Sequence, residues 1–453
     1  MTFFQRRLSA LWWLPTLFLL APPVVVHAED YLYTTNNGTI TITKYTGPGG
    51  DVTITNSING LPVDCIGAGA FSNCISLSSV TIPNSVTRIG DVAFLNCTNL
   101  PGITIPNSIT SIGDMAFLNC GSLTNVTIGD SVTNIGHGTF YYCTSLVEIS
   151  VNASNPVYGS IGGVLFDKNQ TTLVQFPAGK TGPYTIPINV TDIGSEAFFL
   201  CTSLTGVTVP ASVTNIPSPA FLRCTSLVEI SVHASNSVYS SVDGVLFNKN
   251  QATLVQFPAG KTGPYTTPAS LTSIGRDAFR YCTSLTNVTI GNSVTNIGGY
   301  LVFDNCTNLT SITIGKSVTS IGASAFSDCT SLTSVYFRGN APNLGSFIFD
   351  GDSQATVYYL PGTTNWGSLF DGRPAVLWDP QAKNDATFGV GPSGFGFTIT
   401  GPTNVPIVVQ ACTNLIESAW FALSTNTLTD GTSYFSDPQW TNDPARFYRF
   451  CAP

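Results

Sequence analysis

Apolar and polar positions alternate along most of this chain in short runs, with a period near two and frequent turn residues. The stretch from Leu77 to Cys97 shows the pattern. Val80 and Ile82 flank Thr81, so an extended segment puts two apolar side chains on one face and a hydroxyl on the other. Pro83-Asn84-Ser85 is turn chemistry. Val86 and Ile89 open a second extended piece, and Gly90 closes it. From Asp91 to Cys97, an Ala-Phe pair and a cysteine stand at helix-like spacing, which predicts a single helical or 3₁₀ turn.

The pattern repeats. Cys74, Cys97, Cys120 and Cys143 lie 23 residues apart; Cys201, Cys224, Cys282, Cys306 and Cys329 follow at intervals of 58, 23, 58, 24 and 23. Three residues before each stands Phe71, Phe94, Phe117, Phe140, Phe198, Phe221, Phe279, Phe303 or Phe326. Three residues after each stands Leu77, Leu100, Leu123, Leu146, Leu204, Leu227, Leu285, Leu309 or Leu332. One such unit is too small to bury its own apolar face, whereas stacked copies bury one another's. Parallel strands about 4.8 Å apart in roughly a dozen coils imply a rod on the order of 60 Å long. The Phe, Leu, Ile and Cys columns are expected to run through it as continuous ladders.

The long intervals carry two nearly identical insertions, at about residues 152–186 and 233–267. Gly163-Val164-Leu165-Phe166 recurs as Gly244-Val245-Leu246-Phe247, and Val174 to Thr185 recurs unchanged as Val255 to Thr266. Each reads as two strands around a polar turn, Asp167-Lys168-Asn169-Gln170 in the first copy, which either extend the sheet or stand off its edge. They are duplicated spacers or ligand-contacting protrusions. Residues 29–56 read as an N-terminal cap, 57–345 as the repeat array, 346–378 as a closing cap and 379–386 as a linker. Residues 387–453 hold short strands between Gly, Pro and Asn turns, a small β-sandwich-like domain.

The unit Leu-x-x-(Val/Ile)-Thr-(Ile/Val)-(Pro/Gly)-x-Ser-Val-Thr-x-Ile-Gly-x-x-Ala-Phe-x-x-Cys resembles the BspA-type leucine-rich repeat of bacterial surface and secreted proteins. Pro217 in place of the motif Gly, and Gly299-Tyr300-Leu301 before Phe303, are local departures. The resemblance implies a mainly β fold: a leucine-rich-repeat solenoid of 23-residue coils with short parallel strands, two hairpin-like insertions and the C-terminal β-sandwich-like domain. It also implies attachment to host or matrix proteins or to other cells, without assigning any single contact residue.

Composition agrees with β structure. Charged residues are 9% of the 453, and Thr, Ser, Asn and Gly take their place. With 17 Lys+Arg and a net charge of −8, the chain lacks the basic clusters that nucleic acid requires. Gln5-Arg6-Arg7, the apolar run Leu8 to Leu20 and Val26-His27-Ala28 form a secretory signal over residues 1–28. Pro15, Pro22 and Pro23 argue against an uncleaved anchor. No transmembrane span is expected after cleavage, and the protein is expected to be secreted or at the cell surface. Its oligomeric state is left open.

Candidate chemistry is sparse. The nine in-frame cysteines read as buried thiols acting as small hydrophobes, since in-register Cβ vectors suit disulfides poorly. Cys65 aligns with Arg88, near the surface. Cys412 and Cys451 are a possible disulfide clasping the tail domain. Apart from the signal, the only histidines are His137 and His233, too few for a zinc site or a Ser-His-Asp triad. Neither a metal nor a cofactor is expected, nor is an enzyme. Glu148 and Glu229 are one duplicated strand position. Gly179-Lys180-Thr181 and Gly260-Lys261-Thr262 lack the earlier glycine and the helix of a phosphate loop.

The candidate binding strip is the outward column Thr81, Thr104, Thr127, Ser150, Thr208, Ser231, Thr289, Thr313 and Tyr336. It is either β-propensity on a solvated face or a flat, uncharged, hydroxyl-rich surface. An ice-binding face needs two regular Thr columns, and one is visible. The expected function is binding or adhesion to an extracellular protein or glycan; the alternative is a scaffold component of the cell envelope.

Overall fold

Each unit folds as one coil. The computed structural model describes residues 30–451 except 404, 417, 418 and 444; the expected signal, residues 1–28, lies outside them. In the unit from Leu77, the first strand is Leu77–Thr81 and the second is Arg88–Ile89. Val80, Ile82, Val86 and Ile89 point inward and are buried, while Thr81 is exposed. Most neighbouring first strands pair in parallel, in four separate sheets, and some pairs carry a local bulge, as at Gly182/Pro183. Asn125–Ile128 joins Gly102–Ile105 on one side and Glu148–Val151 on the other, residue for residue. Among the described residues, fourteen such first strands can be followed from Gly50–Thr53 to Arg373–Leu377. Leucine-rich coils thus stack as the alternation predicts, because a slip of one residue would turn every apolar side chain out to water.

The third side of the coil is not the helical turn that the spacing predicts. Val92 and Asn96 have φ of +48° and +60°, in the left-handed region, which a right-handed helix cannot contain. The segment is instead a run of turns. Leu95 N–H and Cys97 N–H donate three residues back, to Val92 O and Phe94 O. The alternate donors Val92, Phe94 and Asn96 reach forward to Asp114 O, Ala116 O and Leu118 O of the next coil, at 2.7–2.9 Å. Half the backbone of this side therefore bonds within the coil and half between coils, which the Ala-Phe-x-x-Cys spacing alone does not reveal.

Phenylalanine rings stack along the interior in three runs, not in one continuous ladder. Phe71, Phe94, Phe117 and Phe140 follow at centroid distances of 5.0, 5.2 and 5.8 Å. A second run joins Phe176, Phe198 and Phe221, and a third joins Phe257, Phe279, Phe303, Phe326 and Phe349. The core is segmented in the same places, into three buried clusters. The breaks are the insertions. Each insertion is more than a hairpin: it ends as a coil of its own. Tyr158–Ile161, Val164–Asp167 and Thr172–Gln175 form an antiparallel meander, and Thr172–Gln175 then pairs in parallel with Asp192–Ile193. Of the two expected arrangements, the sheet is extended. Phe176 takes the ring position, although no cysteine follows it in frame.

Each insertion is pinned by one buried asparagine. Asn155 Nδ2 donates to Gly129 O and Val132 O at 2.9 Å, while its Oδ1 accepts from Val157 N–H and Tyr158 N–H at 2.9 and 2.8 Å. Asn236 repeats the arrangement in the second copy. An amide that makes all four bonds offsets its own desolvation.

The repeat cysteines form the buried thiol ladder. All are fully buried except Cys74, and none is disulfide-bonded. Cys97, Cys120 and Cys143 donate to Phe71 O, Phe94 O and Phe117 O of the coil before, at 3.1–3.2 Å. Cys65 pairs with Arg88 and is half-buried.

At the N-terminal end, Tyr31–Asn36 closes the stack by pairing antiparallel with Thr39–Tyr45, which already runs parallel to Leu61–Ile66. At the other end, Thr356–Tyr359 and Arg373–Leu377 continue the parallel sheet. The tail is a sandwich of two antiparallel sheets built around Gly394–Thr400 and Pro406–Cys412. The expected linker is partly structured, since Gln381–Ala382 is already a strand of the sandwich. The possible Cys412–Cys451 disulfide is not formed. Cys412 lies opposite Phe447 and Cys451 opposite Val408, four residues along the ladder. That is about 13 Å at ~3.3 Å per residue, beyond disulfide reach.

Candidate binding surface

The first strands present one side chain column to the outside between their two buried positions. Of the nine strip residues, Thr81, Thr104, Thr127 and Thr208 are exposed, and Ser150, Ser231 and Thr289 are half-buried. They lie in register: Thr104 beside Thr127, Thr127 beside Ser150, Thr208 beside Ser231, Thr289 beside Thr313. The strip's far end is corrected by the structure. Thr313 and Tyr336 are each only 4% exposed, because Tyr336 packs with Tyr358, Trp378 and the core of the sandwich. The register also adds Thr53, Thr185 and Thr266, all exposed, which the cysteine frame misses because their coils lack the in-frame cysteine or leucine.

A second outward column lies two residues earlier: Ser79, Gly102, Asn125, Glu148, Gly206, Glu229 and Asn287. Its mixed residue types hid it in the sequence and exclude the paired Thr columns of an ice-binding face. Glu148 accepts from Ser150 Oγ at 2.7 Å, and Glu229 accepts from Ser231. At the N-terminal edge, Ser79 and Ser78 hydroxyls donate to Asp51 and hold its acid below the usual carboxylate range.

A different Thr column serves as a control. Thr110, Thr133, Thr295 and Thr319 donate their hydroxyls to carbonyls of the preceding coil, at 3.2–3.4 Å. Those hydroxyls are consumed by the fold. Among the described residues, the Thr81, Thr104, Thr127 and Thr208 hydroxyls make no such bond, so their donors and acceptors remain for water or a partner.

The duplicated segments bring Glu and Gly-Lys-Thr together on this face. Glu229, Gly244, Lys261 and Thr262 line one open hollow, and the first copy repeats these residue types. Lys180 Nζ donates to Gly162 O and Lys261 Nζ to Asp243 O, at 2.9 and 2.8 Å. Gly179 is glycine for packing, because a Cβ there would fall 2.6 Å from the Ser145 carbonyl carbon. On the turn side, His137 Nε2 lies 3.2 Å from Tyr141 Oη and 3.9 Å from Glu196 Oε2. His233 Nδ1 accepts from Ser235 N–H in a turn. Both histidines hold local structure. Among the described residues, no three metal-ligating side chains converge, and no helix is long and apolar enough to cross a membrane.

The model for the BspA type leucine rich repeat region matches six copies over residues 64–182, 182–263 and 264–369. A leucine-rich cell surface protein of Faecalibacterium prausnitzii A2-165 is 30% identical, aligned over 76% of this chain and 90% of that one, with a TM-score of 0.50. A leucine-rich repeat protein of Eubacterium ventriosum is 25% identical over 72% of this chain and 75% of that one, with a TM-score of 0.42. No curated protein matches.

Proposed function

The chain belongs to the BspA-type leucine-rich repeat family, and on that footing we propose that it is a secreted or surface-held binding module that adheres to an extended extracellular protein or glycan. The observation that carries this reading is the strip of exposed hydroxyls that the fold leaves unused. Its free hydroxyls recur on several coils, as at Thr81, Thr104, Thr127 and Thr208, so a partner laid along it gains several weak hydrogen bonds at once. The cell-surface character of the Faecalibacterium protein supports the location.

The purified protein is tested on arrays of matrix proteins and glycans, beside a variant carrying Thr104→Lys and Thr127→Lys. Both positions are exposed, so the variant keeps its melting temperature. Binding by the parent that falls at least about tenfold (~1.4 kcal/mol) in the variant is the expected result. Equal binding by both proteins contradicts the strip. Absence of binding, with the protein retained on cell envelopes, favours an envelope scaffold instead.

A further inference from the structure

Where the strip turns aromatic, it meets the C-terminal sandwich. Tyr336 and Tyr358 stack at 5.2 Å and share a buried cluster with Trp378, Phe397 and Ile399. A cavity of about 260 Å³ opens at this seam. Tyr336, Arg338, Tyr358 and Trp378 line it from the solenoid side, and Arg449 and Phe450 from the sandwich.

The cavity is one-sided in charge. Among the described residues its lining holds two arginines and no carboxylate side chain, in a chain whose net charge is −8. Arg449 is positioned: its Nε donates to Gln410 Oε1 at 2.8 Å and its guanidinium lies 4.3 Å over the Trp420 ring. Two buried polar tips on the wall also lack partners. Trp378 is 7% exposed and Tyr336 4%, yet among the described residues neither Trp378 Nε1 nor Tyr336 Oη meets a well-placed hydrogen-bond partner. Ser334 stands beside the Tyr336 phenol and favours its ionised form against the upward push of burial. Leaving such a group unpaired costs about 1–3 kcal/mol, and native folds keep these exceptions where something else meets them. Both tips belong to residues that line the cavity.

We propose that this seam is a pocket for one carboxylated sugar ring, the end or side residue of an acidic glycan. The aromatic walls suit the C–H faces of a pyranose. The arginines suit its carboxylate, which a guanidinium holds through two parallel bonds. The indole N–H and phenol suit its hydroxyls. The volume falls just below the roughly 300–1,000 Å³ of drug-sized sites, so one ring fits and an oligomer does not. An acidic peptide side chain would engage the arginines but leave the aromatic walls and the indole N–H unused. The pocket extends the binding reading by naming a ligand class at the strip's end, and its test does not need the strip.

Isothermal titration of the whole protein uses sodium glucuronate, N-acetylneuraminate, glucose and N-acetylglutamate as probes. At least one of the two acidic sugars is expected to saturate, at least about tenfold tighter than glucose or N-acetylglutamate. Arg449→Gln, at an exposed position, should weaken that binding about fivefold or more with an unchanged melting temperature, and Trp378→Phe should weaken it while keeping the ring. The Thr104→Lys, Thr127→Lys variant should bind the monosaccharide as the parent does, which separates failure of the strip from failure of the pocket. The proposal is overturned if neither acidic sugar saturates, if glucose or N-acetylglutamate binds as tightly, or if Arg449→Gln binds like the parent.

Discussion

A buried thiol behaves as a small apolar side chain that still carries one weak donor, and the cysteine ladder uses both properties. Its inward frame was legible because Phe, Cys and Leu recur at fixed offsets. Its hydrogen bonds to the preceding coil were not, because periodicity says nothing about where a rotatable S–H points. The Cys412–Cys451 register is illegible for a similar reason: two isolated cysteines carry no repeat to fix their strand pairing. Burial pushes the Cys201, Cys306 and Cys329 thiols well above their ordinary value, and Cys74 up to about 11. The neutral form is therefore favoured by folding. That stability is complete below the unfolded thiol range near pH 9 and is lost as pH rises towards the folded values. Under reducing conditions, the melting temperature should hold from pH 7 to about 8.5 and then fall steadily, with a shallower fall in a Cys306→Val, Cys329→Val variant. An unchanged slope in that variant would show that the ladder does not carry the effect.

At the scale of the element, alternation discloses the strands and hides the turn side. Alternation around Thr81 is a direct imprint of a half-buried strand. The left-handed residues at Val92 and Asn96 leave no such imprint, since one is β-branched and ordinarily avoids that region. The insertions were recognised as strands, but their closing coil was hidden because Phe176 lacks its cysteine. Asn155 and Asn236 carry no mark that separates them from the other asparagines of an Asn-rich chain. Asn155→Ala strands two carbonyls and two N–H groups inside the protein. At about 1–3 kcal/mol for each unpaired group, urea denaturation should show a loss of at least ~3 kcal/mol. Asn236→Ala should match it. A loss below about 1 kcal/mol at both sites would mean that water replaces the amide and the insertions are not pinned there.

At the scale of the whole molecule, the stack and its ends were legible and the meeting of its two modules was not. Tyr336 was expected on the open strip because it continues the Thr column; only the packed sandwich shows why an aromatic stands there. Segmentation of the core at the insertions is also invisible in a repeat count, although it follows from replacing the cysteine and its turn in those coils. What holds the molecule together is that each coil is sheltered by its neighbours and by nothing of its own.

Deleting residues 98–120 tests this dependence directly. The cut removes 23 residues, one full period, and joins Cys97 to Gly121 with the downstream Leu123 still three residues after the cysteine. Thermal melting should then show a folded, cooperative protein one rung shorter, with a melting temperature within a few degrees of the parent, whereas deleting only residues 98–109 should abolish the transition. A half-period deletion that melts like the parent, or a full-period deletion that does not fold, would contradict the stacked coil.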